Sequence, residues 1–191
     1  DGHISVGHWE SECQELLVRA TVECSRARVL EVGYGLGMAS AAISRANPRH
    51  HVLIESNPTL AHQCQMRHGI RLPEAVICST WQRIATILRP ESFDAIVFDS
   101  DPDAPADLGW ETPQVLNWVL PAIRELSPLL DKTGRFGFID FTGTVFGSPL
   151  FKSVTSEHCM IASVHPIRID PPIDCRYASP GECHIVCIQR D

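Results

Sequence analysis

The stretch RVLEVGYGLGM, residues 28–38, decides the fold of this chain. Its apolar residues Val29, Leu30 and Val32 form the short run that a strand buried on both faces needs. Small residues that suit a helix follow from Ala39 to Ser44. The turn between them contains three glycines: Gly33, Gly35 and Gly37. Glycine is needed where the backbone takes a positive φ or approaches a ligand closely, so the stretch predicts a nucleotide-cofactor site, although a tight turn without a ligand is the alternative.

The glycine spacing indicates which cofactor is bound. Dinucleotide sites use G-x-G-x-x-G and hold a pyrophosphate at the helix N-terminus, whereas this turn reads G-x-G-x-G. Glu31, two residues before the first glycine, would repel a pyrophosphate and suits a cationic ligand. The E-x-G-x-G-x-G pattern resembles the first motif of class I S-adenosylmethionine (SAM) methyltransferases, whose cofactor carries an ammonium and a sulfonium and no phosphate.

A second acid supports this interpretation. The run HVLI at 51–54 predicts the next strand, which ends in Glu55, where a carboxylate can accept both hydroxyls of a ribose. The alternative is a solvated acid at a strand end. We therefore expect SAM, with S-adenosylhomocysteine as its product. The candidate cofactor-binding residues are Glu31, Gly33, Gly35, Gly37, Glu55, Ser56, Ser79, Thr80 and Trp81.

Length and charge narrow the function classes. The chain has 191 residues, enough for a single domain over 1–191 that buries its own core. It has 16 basic and 23 acidic residues, a net charge of −7, which disfavours nucleic acid and anionic membranes as partners. No apolar stretch approaches the roughly 20 residues of a membrane span, and no signal-like segment begins the sequence. These features favour a cytoplasmic protein with small cationic partners.

The cysteines predict neither disulfides nor metal. The chain has eight, none of them in a C-x-x-C pair. In an α/β domain of this kind reduced thiols are the expected state. Cys183 and Cys187 lie near His184 in a strand-like run, a spacing that only weakly suggests a metal site. We therefore expect no bound metal.

Strand-like and helix-like segments alternate along the chain. Helices are predicted within 8–24, from the end of the glycine turn to about 46, and at 59–67, 81–88 and 112–129. Ser11 is the expected N-cap of the first helix. Strands are predicted at 75–78, 93–99, 135–141, 162–169 and 184–189, besides the two already described. This alternation predicts an α/β fold with a doubly wound, Rossmann-like sheet, mostly parallel with an antiparallel C-terminal strand.

Acids occur where several of these strands end. Glu31, Glu55 and Asp99 close the first, second and fourth strands, and Asp140 lies near the end of the fifth. Ligands of doubly wound sheets bind beyond the carboxyl ends of the strands. We therefore expect these carboxylates to meet in one crevice.

Several motifs together resemble guanidinoacetate N-methyltransferase and its relatives. These are W-E at Trp9 and Glu10, RVLEVGYG at 28–35, the I-E of the second strand, FDAIVFD ending in Asp99 with Pro102 beyond it, and PPIDCRY at 171–177. The last string is the most specific, because generic methyltransferases share only the glycine motif and the acids. The resemblance covers nearly the whole chain, and the family's N-terminal lid is missing from it.

The resemblance implies methyl transfer from SAM to a guanidino nitrogen. In the family, one carboxylate before the first helix and one ending the fourth strand hold the guanidino group, and these match Glu10 and Asp99, which are the candidate catalytic residues. Two carboxylates can fix the planar five-donor fork of a guanidinium. Removing its proton before attack at pH 7 would cost roughly 8 kcal/mol, so proton transfer to Asp99 during methyl transfer is expected.

The chain also departs from the family pattern in the acceptor site. Asp101 stands where the family has an aromatic residue, and Asp140 where it has an asparagine. Phe141 and Thr142 correspond to the residues that hold the substrate carboxylate. The two additional acids favour an acceptor with an extra amine, such as arginine or an arginine-derived compound. The candidate substrate-binding residues are Glu10, Asp99, Asp101, Asp140, Phe141 and Thr142.

Three functions stay open from the sequence. The first is a SAM-dependent N-methyltransferase of a small guanidino compound, either as a monomer or as a homodimer. The second is a methyltransferase that acts on a small amine or on a protein arginine side chain. The third is a cofactor-binding protein without methyl transfer, or an NAD-type oxidoreductase. A protein acceptor would need an open groove, whereas a small acceptor would need a lid.

Overall fold

A computed structural model describes residues 10–67, 71, 73–100, 112–172, 175, 178 and 180–190. Its strands are β1 (Arg28–Val32), β2 (His50–Glu55), β3 (Ala75–Cys78), β4 (Phe93–Phe98), β5 (Leu130–Asp140), β6 (Met160–Ile169) and β7 (Gly181–Arg190). Its helices are α1 (Ser11–Thr21), α2 (Met38–Arg45), α3 (Pro58–Met66), α4 (Trp81–Ala85), α5 (Thr112–Leu126) and α6 (Pro149–Glu157). A short 3₁₀ turn, Ser127–Leu129, joins α5 to β5.

The seven strands form one sheet in the order β3-β2-β1-β4-β5-β7-β6. The first five strands pair in parallel, and β7 lies antiparallel between β5 and β6. The order reverses between β1 and β4, where ligands of doubly wound sheets bind. The expected α/β fold with an antiparallel C-terminal strand is therefore confirmed.

Each face of the sheet has its own hydrophobic core. Side chains alternate between faces along a strand, so residues of β4 divide between the two cores. Ala95 and Val97 pack with α1 and α2, whereas Ile96 and Phe98 pack with α4, α5 and α6. The same alternation decides toward which face of the sheet the side chain of an acidic residue at a strand end points.

Most differences from the predicted elements are at their ends. Glu10, not Ser11, occupies the cap position of α1, and no side chain caps that helix. Helix α4 ends at Ala85 rather than Leu88, and β5 begins at Leu130, before the predicted turn. Helix α6 was not predicted, although Ser148 caps it by accepting the Phe151 N–H and Pro149 opens it.

None of the helices in the described part of the chain is long and apolar enough to cross a membrane. All eight cysteines are free thiols, and the described residues contain no cluster of histidine, cysteine and acidic side chains that could hold a metal ion.

Candidate functional site

The glycine turn after β1 is shaped by its own packing. Gly33 has φ +92°, and a Cβ there would lie 2.1 Å from the backbone oxygen of Asp99. Gly37 has φ +72°, and its Cβ would lie 2.1 Å from the Arg67 guanidinium. These contacts bring the turn against the end of β4 and against α3. The structure thus gives the glycines a reason within the fold in addition to the cofactor approach expected from the sequence.

Arg67, just beyond α3, holds this turn from the outside. Its Nη1 donates to the backbone oxygens of Leu36 and Gly37, at 2.7 and 3.1 Å, and to the Tyr34 hydroxyl at 3.2 Å. The turn is therefore fixed on both sides before any ligand binds.

Glu55 lies at this turn, as expected. Its Oε2 accepts the Tyr34 N–H and its Oε1 accepts the Asn57 N–H, both at 2.7 Å. Because a carboxylate has about four lone-pair sites, these bonds fix its orientation and leave capacity for further donors. A ribose with two hydroxyls is a ligand of that kind.

Glu31 is fully buried and engaged inside the protein. The Ser40 hydroxyl donates to Glu31, lying 2.8 and 2.6 Å from its two oxygens, and His51 Nε2 lies 2.7 Å from Oε2. The expected direct contact of Glu31 with the cofactor is therefore less favoured by the geometry than a role in joining β1, α2 and β2. Ser40 and His51 were not identified from the sequence.

The other candidate cofactor residues surround the ends of β2 and β3. Ser56 is exposed, while Ser79 and Thr80 are partly buried between β3 and α4. Trp81 is 3% exposed and packs edge-on against Phe98 and Trp118. Its ring therefore packs in the core, which differs from the expectation that Trp81 contacts the cofactor.

Asp99 directly follows β4 and points to the α1 side of the sheet. Its N–H donates to the Val32 oxygen at 2.9 Å, so it continues the sheet beside the glycine turn. Trp118 Nε1 holds the next residue by donating to the Ser100 oxygen at 2.7 Å. Gln14 of α1 donates from Nε2 to Asp99 Oδ2, also at 2.7 Å.

The environment of Asp99 favours its neutral form more than water would. Burial raises the pKa of Asp99 to about 6, and the nearby charges of Glu31 and Glu55 add to this effect. The Gln14 amide acts in the opposite direction, because it stabilises the ionised carboxylate. Within the described residues, Glu31 is hydrogen-bonded to His51, and neither Glu55 nor Asp99 has an arginine or lysine partner. This site suits a cationic, phosphate-free ligand.

Glu10 precedes α1 and is 2% exposed. Its charge and that of Asp140 both act on the Cys183 thiol, which places Glu10 near β7. Cys13, one residue before Gln14, is also close, because its Sγ lies 3.8 Å from Cys183 Sγ. The structure therefore brings the start of α1 close to β7 and, through Gln14, to Asp99.

Asp140 ends β5 on the opposite face of the sheet from Asp99. Its Oδ1 accepts the Thr142 N–H and hydroxyl, at 3.1 and 2.8 Å, and its Oδ2 accepts the N–H groups of Val145 and Phe146, at 2.8 and 3.4 Å. The carboxylate is fully buried in its own loop. This differs from the expectation that Asp140 joins the crevice and contacts the acceptor.

Two of the remaining candidate substrate-binding residues are described by the structure, and one is not. Phe141 and Thr142 are partly buried in the loop after β5, and Thr142 donates to Asp140. Asp101, with Trp9 and Pro102, lies outside the described residues, and the PPIDCRY string is described only in part. Because Asp140 is engaged in its own loop, the expectation that the acceptor carries an extra amine now depends on Asp101.

Comparison with known proteins gives consistent matches. The family model of guanidinoacetate N-methyltransferase matches residues 2–155. Two relatives named protein arginine N-methyltransferase 2, from Aspergillus fumigatus and Emericella nidulans, are 26% and 27% identical over 139 residues, 71% of this chain. The chain spans about 30% of the length of these relatives.

Solved structures match the whole sheet. M. jannaschii TYW2 in complex with AdoMet has a TM-score of 0.63 at 12% identity, covering 99% of this chain and 80% of that one. A SAM-dependent O-methyltransferase from Thermotoga maritima has a TM-score of 0.62 at 15% identity, covering 97% and 66%. At such identities these similarities concern the fold.

Proposed function

The chain belongs to the guanidinoacetate N-methyltransferase family, and on that basis we propose that it transfers a methyl group from SAM to a guanidino nitrogen of a small molecule. Family membership and strand order make the chain a class I methyltransferase that uses SAM. The single observation that supports a guanidino acceptor is Asp99, a partly buried carboxylate held by Gln14 beside the glycine turn.

The candidate cofactor residues fit this class by their chemistry. The rigid turn, the oriented Glu55 and the excess of carboxylates suit a ligand with a ribose and positive charges. When bound, SAM supplies an electrophilic methyl group on its sulfonium. Glu55 would accept the ribose hydroxyls, and the backbone of the Gly33–Gly37 turn would lie beneath the rest of the ligand.

Glu10 and Asp99 would hold the acceptor. A guanidinium is cationic, Asp99 lies where β1 and β4 separate, and Glu10 begins the helix whose Gln14 contacts Asp99. Two anionic acceptors restrict the rotation of the planar fork and turn one nitrogen toward the methyl group. Holding this nitrogen in line is the main contribution we assign to Glu10.

Asp99 would also receive the proton. As the new N–CH₃ bond forms, the acceptor nitrogen loses one proton, so that the methylated guanidinium keeps its single positive charge. The pKa of Asp99 is raised to about 6, which makes it a stronger base than an ordinary aspartate and still leaves it ionised at pH 7. The smaller the difference between the pKa of the acceptor nitrogen and the pKa of Asp99, the lower the free-energy cost of this proton transfer.

A second candidate acceptor is a protein arginine side chain. It is favoured by the two relatives named protein arginine N-methyltransferase 2. The same carboxylates would hold the same fork, so the chemistry at Asp99 would not change. The difference would lie in how much space surrounds the acceptor.

The proposal is tested by measuring release of S-adenosylhomocysteine with a panel of acceptors. The panel contains guanidinoacetate, arginine, guanidinobutylamine, matched primary amines and an arginine-containing peptide. We expect turnover with small guanidino compounds and little with the amines. Turnover with amines alone would contradict the proposal, and turnover with the peptide alone would favour the second candidate.

A further inference from the structure

Gln14 is an amide placed among the residues that hold the acceptor. It lies in the first turn and a half of α1 and is 1% exposed. It follows Glu10 by four positions, a spacing that puts two side chains on the same side of a helix. Its neighbours on the buried side of α1, Cys13 and Leu17, are apolar. An apolar residue would therefore have satisfied the packing at this position.

In the part of the chain that the structure describes, only the donor side of the Gln14 amide has a partner. Nε2 donates to Asp99 Oδ2 at 2.7 Å. Oε1 is buried and, among the described residues, has no hydrogen-bond partner. A buried acceptor without a donor is unfavourable, and native proteins retain few of them. The bond to Asp99 also fixes the plane of the amide, so the direction of Oε1 is set before a ligand arrives.

A guanidino group supplies the missing donor. A guanidinium has five N–H groups in one plane and no acceptor. Asp99 and Glu10 can take several of these donors but cannot reach all sides of the fork. A neutral oxygen beside Asp99 can accept another N–H without competing with Asp99 for the proton, because an amide oxygen is a very weak base.

We propose that Gln14 Oε1 accepts an N–H of the acceptor's guanidino group while Nε2 orients Asp99. Gln14 is then a binding and positioning residue, and the acceptor is held by two carboxylates and one amide. The inference rests on the proposed function, because it assumes that a guanidino group occupies the space beside Asp99.

Methylguanidinium is the probe for this site, since it contains the group common to all guanidino acceptors. It is titrated into protein saturated with S-adenosylhomocysteine, with methylammonium as the comparison. We expect Gln14→Met to weaken methylguanidinium binding about 10–100-fold, since one hydrogen bond to a charged donor is lost. In steady state the same variant should raise KM for the best guanidino acceptor by a similar factor. The affinity for S-adenosylhomocysteine should stay within about two-fold.

Two further variants separate binding from folding. Thr21→Val removes another buried polar group of α1, whose hydroxyl donates to the Leu17 oxygen, away from the acceptor. It should leave methylguanidinium binding unchanged even if it lowers stability. Gln14→Glu keeps an acceptor oxygen, and because its second oxygen would face Asp99 Oδ2, the two carboxyl groups should share one proton that replaces the Nε2 donor. It should therefore retain most of the affinity that Gln14→Met loses.

The outcomes distinguish this inference from the proposed function. If the wild type binds methylguanidinium no better than methylammonium, the guanidino assignment is wrong. If the wild type prefers methylguanidinium and Gln14→Met keeps that affinity within two-fold, the role of Oε1 is wrong and the function stands. Equal losses in Gln14→Met and Gln14→Glu would likewise overturn the role of the acceptor oxygen.

Discussion

Asp99 and Asp140 follow neighbouring parallel strands at the same edge of the sheet, yet their surroundings have little in common. Among the described residues, Asp140 accepts four hydrogen bonds from residues 142–146 of its own loop. Asp99 accepts one from Gln14, and burial raises its pKa to about 6. A carboxylate whose lone pairs are filled by its own backbone stabilises a loop. One with few donors and a raised pKa retains the capacity to bind and to accept a proton.

The largest effect of this difference should be on turnover. Asp99→Asn should lower kcat by roughly 10²–10⁴, because an amide cannot take the proton from the acceptor. SAM affinity should stay within a few-fold, since Glu55 and the glycine turn are unchanged. The measurement is single-turnover methyl transfer together with calorimetric titration of SAM. Near wild-type turnover with each guanidino acceptor would show that Asp99 does not take the proton, and a neutral amine would become the better acceptor.

Stability should respond to the two aspartates in opposite directions. Asp140→Ala should lower the free energy of unfolding by about 2–4 kcal/mol, because several loop donors lose a buried acceptor together. Urea unfolding at pH 8 measures this. A loss of less than about 0.5 kcal/mol would mean that the loop after β5 does not depend on its carboxylate.

Asp99→Asn serves as the matched comparison in the same unfolding experiment. The folded-state pKa of Asp99 lies above its ordinary value, so the folded protein binds its proton more tightly than the unfolded chain does. The stability therefore falls as pH rises from about 4 to about 6 and stays lower above that range. At pH 8 the neutral asparagine should be more stable by about 1–2 kcal/mol, after allowance for partial exposure. A loss of stability instead would contradict the raised pKa.

The sequence predicted where these acids lie along the chain but not which way they point. Alternating strands and helices were enough for the sheet, and the glycine spacing for the turn after β1. The direction of Asp140 depends on the fold of residues 142–146, for which no repeating pattern exists. Its position in β5, two residues after the buried Phe138, would have placed it on the face opposite Asp99.

Some of the other site residues could be identified from the sequence, and others could not. Gln14 could have been found, because it follows Glu10 by four positions on a predicted helix. The pairing of Glu31 with His51 and Ser40 could not, since it joins three elements that are distant along the chain. Trp81 was assigned to the cofactor, although a large aromatic residue opening a helix is more often part of a core.

Glu55 is intermediate between Asp99 and Asp140 in the number of hydrogen bonds that its carboxylate accepts from the described residues. Each of its oxygens accepts one backbone N–H, so it is oriented but not saturated. Glu55→Ala should weaken SAM binding by about 1.5–3 kcal/mol, because the ribose hydroxyls lose a charged acceptor. Calorimetric titration of SAM measures this, with Asp140→Ala as a control that should leave SAM affinity unchanged. Equal affinity in Glu55→Ala and wild type would place Glu55 with Asp140 as a structural acid.

The smallest effect concerns pH and depends on the bond between Gln14 and Asp99. Asp99 must be ionised to accept a proton, so kcat/KM, which reports groups of the free enzyme, should fall below about pH 6 in the wild type, where the pKa of Asp99 lies. Among the residues that the structure describes, three groups face this carboxylate: Gln14 of α1, which lowers its pKa, and Glu31 of β1 and Glu55 of β2, which raise it. Gln14→Met removes the stabilising donor of this group and leaves both acids, so the pKa of Asp99 should rise further. The acidic limb of the kcat/KM profile should therefore move to higher pH by about 0.5–1 unit, which corresponds to the loss of one hydrogen bond of about 1 kcal/mol. Thr21→Val, on the same helix but away from Asp99, should leave the limb in place. A limb that does not move in Gln14→Met would mean that another group titrates there, and Asp99 would lose its assignment as the proton acceptor.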